Sequence, residues 1–235
     1  MRTSRVAGLL FLATAALAQQ QQPVEITSEP SHHLVLQNEY VRVFDVTVAP
    51  QASTLVHRHN TDYLFVTLGD SDVVSARVGE KPAELQLKDG EVRYTPGNFA
   101  HAAINKSDLP FHNITIELLK PSSKVANCTE LCTRLQCSNG QKSNCSRVVY
   151  SISSDQWLAS LVTLRPSSHM KRNMHGNPHL LIAVSDLDLK NQAESASNSI
   201  QRAPGGLLWM PAGNTYTLTN NSQKPAKFVT LEFKL

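Results

Sequence analysis

Three histidines in this 235-residue chain stand where one metal ion could take a nitrogen from each. His57 and His59 flank Arg58. Side chains alternate faces along a strand, so the two imidazoles share a face, with Cα atoms roughly 6.6 Å apart at about 3.3 Å per residue. The third, His101, lies in the segment Gly90-x5-Pro96-x-Asn98-x2-His101-x3-Asn105 and must arrive from another strand. Three neutral imidazoles leave coordination positions open. Such a nitrogen-rich site suits a divalent transition metal, Fe(II), Ni(II), Cu(II), Zn(II) or Mn(II), rather than Ca²⁺ or Mg²⁺. An open site of this kind binds or turns over a small molecule.

The elements that must position these residues are read from an internal repeat. Residues 50–70 align without gaps on 166–186, and Gly205-x5-Pro211-x-Gly213-x2-Tyr216-x3-Asn220 replays the segment around His101. Strand-like runs surround both copies, at 34–36, 41–48, 64–68, 73–78 and 114–119, then at 158–164, 180–184 and 228–233. Short strands punctuated by Gly, Pro, Asn and Asp predict an all-β chain of two antiparallel jelly-roll barrels. The second copy carries Asn173, His175 and Tyr216 where the first has His57, His59 and His101, and Pro178-His179 where the first has Asp62-Tyr63. One imidazole cannot hold a metal alone, and His175 with His179 would offer two nitrogens at most. Turn residues persist between the copies while histidines vanish, as expected if the histidines of the first copy serve a site and not the scaffold. The second barrel is then a cover for the first, its own pocket filled by Trp209, Met210 and Tyr216.

The paired segments resemble the motifs of the cupin superfamily, G-x5-H-x-H-x3,4-E-x6-G and G-x5-P-x-G-x2-H-x3-N, and the repeat resembles a two-barrel bicupin. The second motif matches at Gly90, Pro96, His101 and Asn105; Asn98 replaces a glycine, and Asn is the residue that best tolerates a left-handed backbone after Gly. In the first motif His57, His59 and Gly69 match, Gln51 stands at the first glycine, and the glutamate is missing. Counting back from Gly69 puts Asp62 in its place, and counting forward from His59 puts Tyr63 there. Strand parity favours Tyr63 if the strand is unbroken; Asp62 would serve as an oxygen ligand if the chain bends at Asn60-Thr61, or only cap that turn. The resemblance implies His57, His59 and His101 as metal ligands, with Asp62 or Tyr63 orienting or deprotonating the substrate. By the same analogy the metal is Fe(II) by preference and the activity is that of a metal-dependent dioxygenase or oxidoreductase on a small organic substrate. A metal-assisted isomerase or lyase of sugars or small acids, with Arg93 and Lys88 as candidate cationic partners, and a non-catalytic binding module are the alternatives.

Composition sets the surroundings. Arg2 and Arg5, an apolar run from Val6 to Ala16 and the small-residue ending Ala16-Leu17-Ala18 have the layout of a secretory signal peptide, too short to span a bilayer. Loss of residues 1–18 removes those two arginines and no acid, lowering the net charge from +3 to +1. Such a balance gives no electrostatic footprint for nucleic acid. Residues 19–23 read as a disordered leader, 24–121 as the barrel with the site, 122–148 as a connector, 149–235 as the second barrel, and 190–199 as a polar surface loop. Cys128, Cys132, Cys137 and Cys145 all lie in the connector. Their spacing lacks the short pairs of a zinc knuckle, and with an export signal it predicts two local disulfides, three connectivities remaining open. The export signal places the chain outside the cell or in the periplasm. Glycosylation sequons begin at Asn105, Asn113, Asn127, Asn144 and Asn220; the first and last are motif asparagines, better explained by the fold than by a glycan.

Overall fold

Each half of the chain folds its short alternating strands into a two-sheet barrel, antiparallel except for the parallel pairing of residues 24–25 with 57–58. The computed structural model describes residues 22–127, 133–137, 145–172, 177–193, 197–213 and 215–234. The expected export signal, Cys128, Cys132, Asn144, Asn173 and His175 lie outside the described residues.

The first barrel comprises β1 (Val24–Glu25), β2 (His32–Gln37), β3 (Val41–Val48), β4 (His57–His59), β5 (Tyr63–Leu68), β6 (Ser71–Arg77), β7 (Ala83–Leu87), β8 (Val92–Thr95), β9 (Phe99–Asn105) and β10 (Phe111–Leu118). The second comprises β11 (Ala126–Asn127), β12 (Thr133–Cys137), β13 (Cys145–Ser153), β14 (Trp157–Leu164), β15 (His169–Arg172), β16 (His179–Ala183), β17 (Leu187–Ala193), β18 (Ser197–Arg202), β19 (Leu207–Met210), β20 (Tyr216–Asn220) and β21 (Ala226–Phe233). The repeat in the sequence is a repeat in topology. The order β4-β9-β6-β7 of one sheet recurs as β15-β20-β17-β18, and β3-β10-β5-β8 recurs as β14-β21-β16-β19.

Strand parity divides the first barrel's apolar residues between two cores. Phe44, Val46, Tyr63, Phe65 and Phe111 point into the barrel. Their neighbours Val43, Leu64, Val66, Ile114 and Ile116 point out, into a cluster completed by Trp157, Leu180, Leu231 and Phe233 of the second barrel. These strands are therefore apolar on both faces, which is why they read as continuous hydrophobic runs. Burying each such side chain contributes about 1.5–3 kcal/mol. The repeated glycines meet the opposite barrel across this interface: a Cβ on Gly90 would lie 2.8 Å from Lys227 Cε, and one on Gly205 3.2 Å from His112 Cε1.

The turns use the left-handed backbone where the motifs require it. Asn98 has φ +63°, and its counterpart Gly213 has φ +98°. Gln51, standing at a glycine position, takes φ +54°, and Ser167, its partner in the repeat, takes φ +60°. Asn105 is fully buried; its side-chain amide donates to Val48 O, Ala49 O and Leu109 O, and its carbonyl accepts from Ser107 N. Asn220 makes the corresponding bonds to Leu164 O, Lys224 O and Ser222 N. Both motif asparagines thus fasten a loop. Asn113 is also buried, facing the lumen, while Asn127 is exposed.

Three expectations change. The polar segment 190–199 is mostly strand: β17 and β18 pair from Leu187↔Arg202 to Gln192↔Ser197, with 194–196 outside the described residues. Its polarity reflects an edge whose outer face meets water, not the absence of pairing. Trp209 does not fill the second barrel; it packs in the inter-barrel cluster against Tyr40 and Phe233, while Met210 and Tyr216 point inward. Adjacent strand residues cannot share a face. Finally, the segment read as a connector contributes strands of its own: β11 and β12 both pair with β13, and the β12 register sets Cys137 directly opposite Cys145.

Candidate metal centre

The strand pairing of the first barrel brings the three histidines together. His57 on β4 is the register partner of His101 on β9, and opposed residues of an antiparallel pair share a face. His59, two residues on, takes the same face. All three rings are buried, at 1%, 1% and 8% relative exposure, and one nitrogen from each lies within 4.8 Å of the others. His59 Nε2 is 3.2 Å from His57 Nε2 and 3.2 Å from His101 Nε2.

This geometry fits a cation better than it fits three free imidazoles. His57 Nδ1 is 2.9 Å from Leu55 O, which can only accept, so His57 carries its proton on Nδ1 and turns a lone pair toward the cluster. His101 Nδ1, 3.0 Å from Ser75 Oγ, has a partner that allows the same tautomer. A proton on His59 Nε2 could satisfy one of its two neighbours, not both. Metal–nitrogen bonds of about 2.1 Å at angles of about 90–110° would set nitrogens roughly 3.0–3.4 Å apart, as found here. His59 Nδ1 is buried without a hydrogen-bond partner among the described residues.

Protonation is suppressed at all three rings. Burial, followed by the nearby His32, lowers His57 to about 4. Burial and then His101 and His57 lower His59 to about 2; burial and then His57 lower His101 to about 3. Neutral imidazoles are the form a metal requires.

Asp62 and Tyr63 part company. The Asp62 carboxylate accepts from Tyr94 OH at 2.6 Å and from Gly97 N at 2.9 Å, tying the turn before β5 to the turn before β9. Both its oxygens are so engaged, and it is not in the histidine cluster. Gly97 is required for this approach, since a Cβ there would lie 2.4 Å from the Thr61 carbonyl carbon. The chain does bend after His59, but in the sense of a turn cap. Tyr63 faces the lumen and stacks on His59, with ring centroids 4.1 Å apart and planes at 16°. Burial pushes its phenol up to about 12. Of the candidate cationic partners, Arg93 lines the cavity, whereas Lys88 is exposed and paired with Asp70.

The cavity beside the histidines has a volume of about 380 Å³ and an apolar wall that includes Val46, Phe65, Val73, Leu87 and Phe111. Two groups with no motif spacing to reveal them complete it. His32 on β2 lies against His57, ring centroids 4.5 Å apart, and its Nδ1 is 2.6 Å from Glu29 Oε2. Glu29 also accepts from Leu55 N and Ser31 N. Burial alone would raise the Glu29 carboxyl, but these bonds hold it below its ordinary value. No motif in the sequence marks His32; strand pairing sets it opposite Val46, a lumen residue. The second addition is Arg77, opposite His101 on β6 and two residues beyond the inward Ser75.

The second barrel offers no comparable cluster among the described residues. Tyr216 OH is hydrogen-bonded to His179 Nε2, and the two rings stack.

Fold and site together define a two-barrel cupin fold in which, among the described residues, one three-histidine cluster could hold a divalent metal. At the level of sequence, no protein-family model and no curated protein matches the chain. Among solved structures it is similar to AerE from Microcystis aeruginosa, at 11% identity and TM-score 0.59 over 88% of this chain and 99% of that one. Oxalate decarboxylase of Bacillus subtilis, a protein with Mn(II) centres, aligns at 10% identity and TM-score 0.56 over 86% and 75% of the two chains. A cupin 2 conserved barrel domain protein from Leptotrichia buccalis aligns at 9% identity and TM-score 0.53 over 86% and 88%. At such identities the likeness is one of fold. Among the described residues no helix is long and apolar enough to cross a membrane.

Proposed function

We propose that the chain is an exported metal-dependent oxidoreductase of the dioxygenase type, acting on a small organic substrate at the first barrel. The observation that carries the reading is the convergence of three neutral imidazole nitrogens on one point beside a cavity of about 380 Å³. His57, His59 and His101 would hold the metal, Fe(II) by preference. Such an ion, when bound, supplies Lewis-acid and redox chemistry toward dioxygen and an oxygen-bearing substrate. The chain's own residues do the rest. Leu55 O and Ser75 Oγ fix the rings of His57 and His101. Tyr63 keeps its phenolic proton at neutral pH, so its role is to orient a substrate and not to deprotonate it. Asp62 secures the turn that carries Tyr63, and the apolar wall excludes water. Export is supported by the layout of residues 1–18, and small-molecule binding by the size of the cavity.

Elemental analysis of protein recovered from the exported fraction names the ion. Oxygen uptake by iron-loaded protein, measured across catechols, β-diketones and small carboxylic acids with an apolar body, tests the reaction class. Uptake that His57→Ala abolishes is the expected outcome, and no uptake across the panel removes the dioxygenase reading. The isomerase or lyase alternative is favoured by one feature, the presence of Arg77 and Arg93 at the cavity. It predicts turnover of a sugar or small acid without oxygen.

A further inference from the structure

Of the ionisable side chains lining the cavity besides the histidines and tyrosines, three are cations, Arg77, Lys81 and Arg93, and one is a carboxylate, Glu80. They are not equivalent. Arg93 is anchored, its Nε 2.7 Å from Glu91 Oε1 and its Nη2 3.4 Å from Gln86 O. Arg77 is the register partner of His101. Its guanidinium carbon lies over the Phe99 ring, 4.0 Å from the centroid, and Phe99 in turn stacks on His59. This cation–π contact holds the guanidinium beside the histidines. Among the described residues, the one carboxylate within salt-bridge reach of Arg77 is Glu80, at 3.8 Å and with its side chain 59% exposed. That distance exceeds a charge-assisted hydrogen bond, and with the Arg77 side chain 32% exposed its planar fork is open to a ligand.

We propose that the substrate is a small organic acid with an apolar body, its carboxylate held by Arg77 and its body set against the Val46, Phe65, Val73, Leu87 and Phe111 wall. A guanidinium next to a metal-ligand cluster would otherwise repel the metal it adjoins. An anionic ligand between them offsets that repulsion, and a wall of aliphatic and aromatic side chains gives the rest of the ligand an apolar surface to bury. The inference rests on the reading of this cavity as the substrate site, but not on the identity of the metal.

The test is calorimetric titration of the full chain, both stripped with chelator and metal-loaded, using benzoate, cinnamate and octanoate against the matching amides. In the stripped protein, where no metal can attract the acid, at least one acid is expected to bind about tenfold or more tightly than its amide. Arg77→Gln should erase that preference while leaving amide affinity and metal content unchanged. Arg93→Gln should reduce it far less. Should Arg77→Gln fail to fold, Arg77→Lys, which keeps the charge and loses the planar fork, is expected to weaken acid binding selectively. Equal binding of acids and amides, an equal loss of both in the Arg77 variant, or no binding of any probe acid overturns the inference. Elemental analysis separates the two ideas: acid binding by a protein that takes up no metal would sink the metal site and leave the acid site standing.

Discussion

Acidifying the metal-free protein should destabilise it through the three buried imidazoles, and one of them can be isolated. In the unfolded chain His59 titrates near its ordinary value, about 6.5. In the fold, burial and the two neighbouring histidines lower it to about 2. The folded state therefore binds fewer protons than the unfolded state throughout the interval between those values. His59 contributes its full stabilisation above pH 6.5 and loses it progressively as the pH falls toward 2. Between pH 7 and pH 5 one imidazole that charges only on unfolding costs about 2 kcal/mol, and three cost about 6 kcal/mol. That is comparable to the whole stability of many domains, about 5–15 kcal/mol. Urea denaturation of chelator-treated protein at both pH values measures the loss. His59→Gln removes one titrating ring, so its loss on acidification should be smaller than that of the parent by about 2 kcal/mol. Equal losses in the two proteins would mean that His59 is not buried and neutral beside its partners, and the cluster as described would be refuted.

Ser75→Ala should leave the fold intact but free the His101 ring, weakening metal binding about 10–100-fold in a competition titration with a chelator. Gly97→Ala forces a Cβ into the Thr61 peptide and away from the Asp62 bond. It should cost about 1–3 kcal/mol in denaturant unfolding, and a neutral result would show that the two turns are not locked together. Peptide mapping without reductant should recover Cys137 linked to Cys145, because residues directly opposed in an antiparallel pair lie within the Cα separation a disulfide spans. Recovery of Cys137 linked to Cys128 or Cys132 instead would contradict that register.

The barrels were legible in the chain because their signals are local and duplicated. Period-two alternation, turn residues at fixed offsets and the replay of 50–70 in 166–186 all describe backbone geometry, and Asn98 with φ +63° behaves as its amino-acid type allows. His57 and His59 could be placed on one face for the same reason. Trp209 was misplaced because parity had to be assigned from a run of apolar residues, and a strand buried on both faces gives no contrast between inside and outside. The segment 190–199 was misread because an edge strand facing water has the composition of a loop.

The sequence alone determined that two copies of one β-barrel exist and that only the first keeps three imidazoles in motif positions, since residue identity and spacing suffice for both. Only the tertiary structure decided what surrounds them. The distance from His101 to His57 is a matter of strand register between β9 and β4, and that from Arg77 to His101 of register between β6 and β9. Whether Asp62 reaches the cluster or Gly97 depends on how one turn packs on another. Contacts between residues distant in the chain are set by the closure of the barrel, a property of all its strands together that no local spacing encodes.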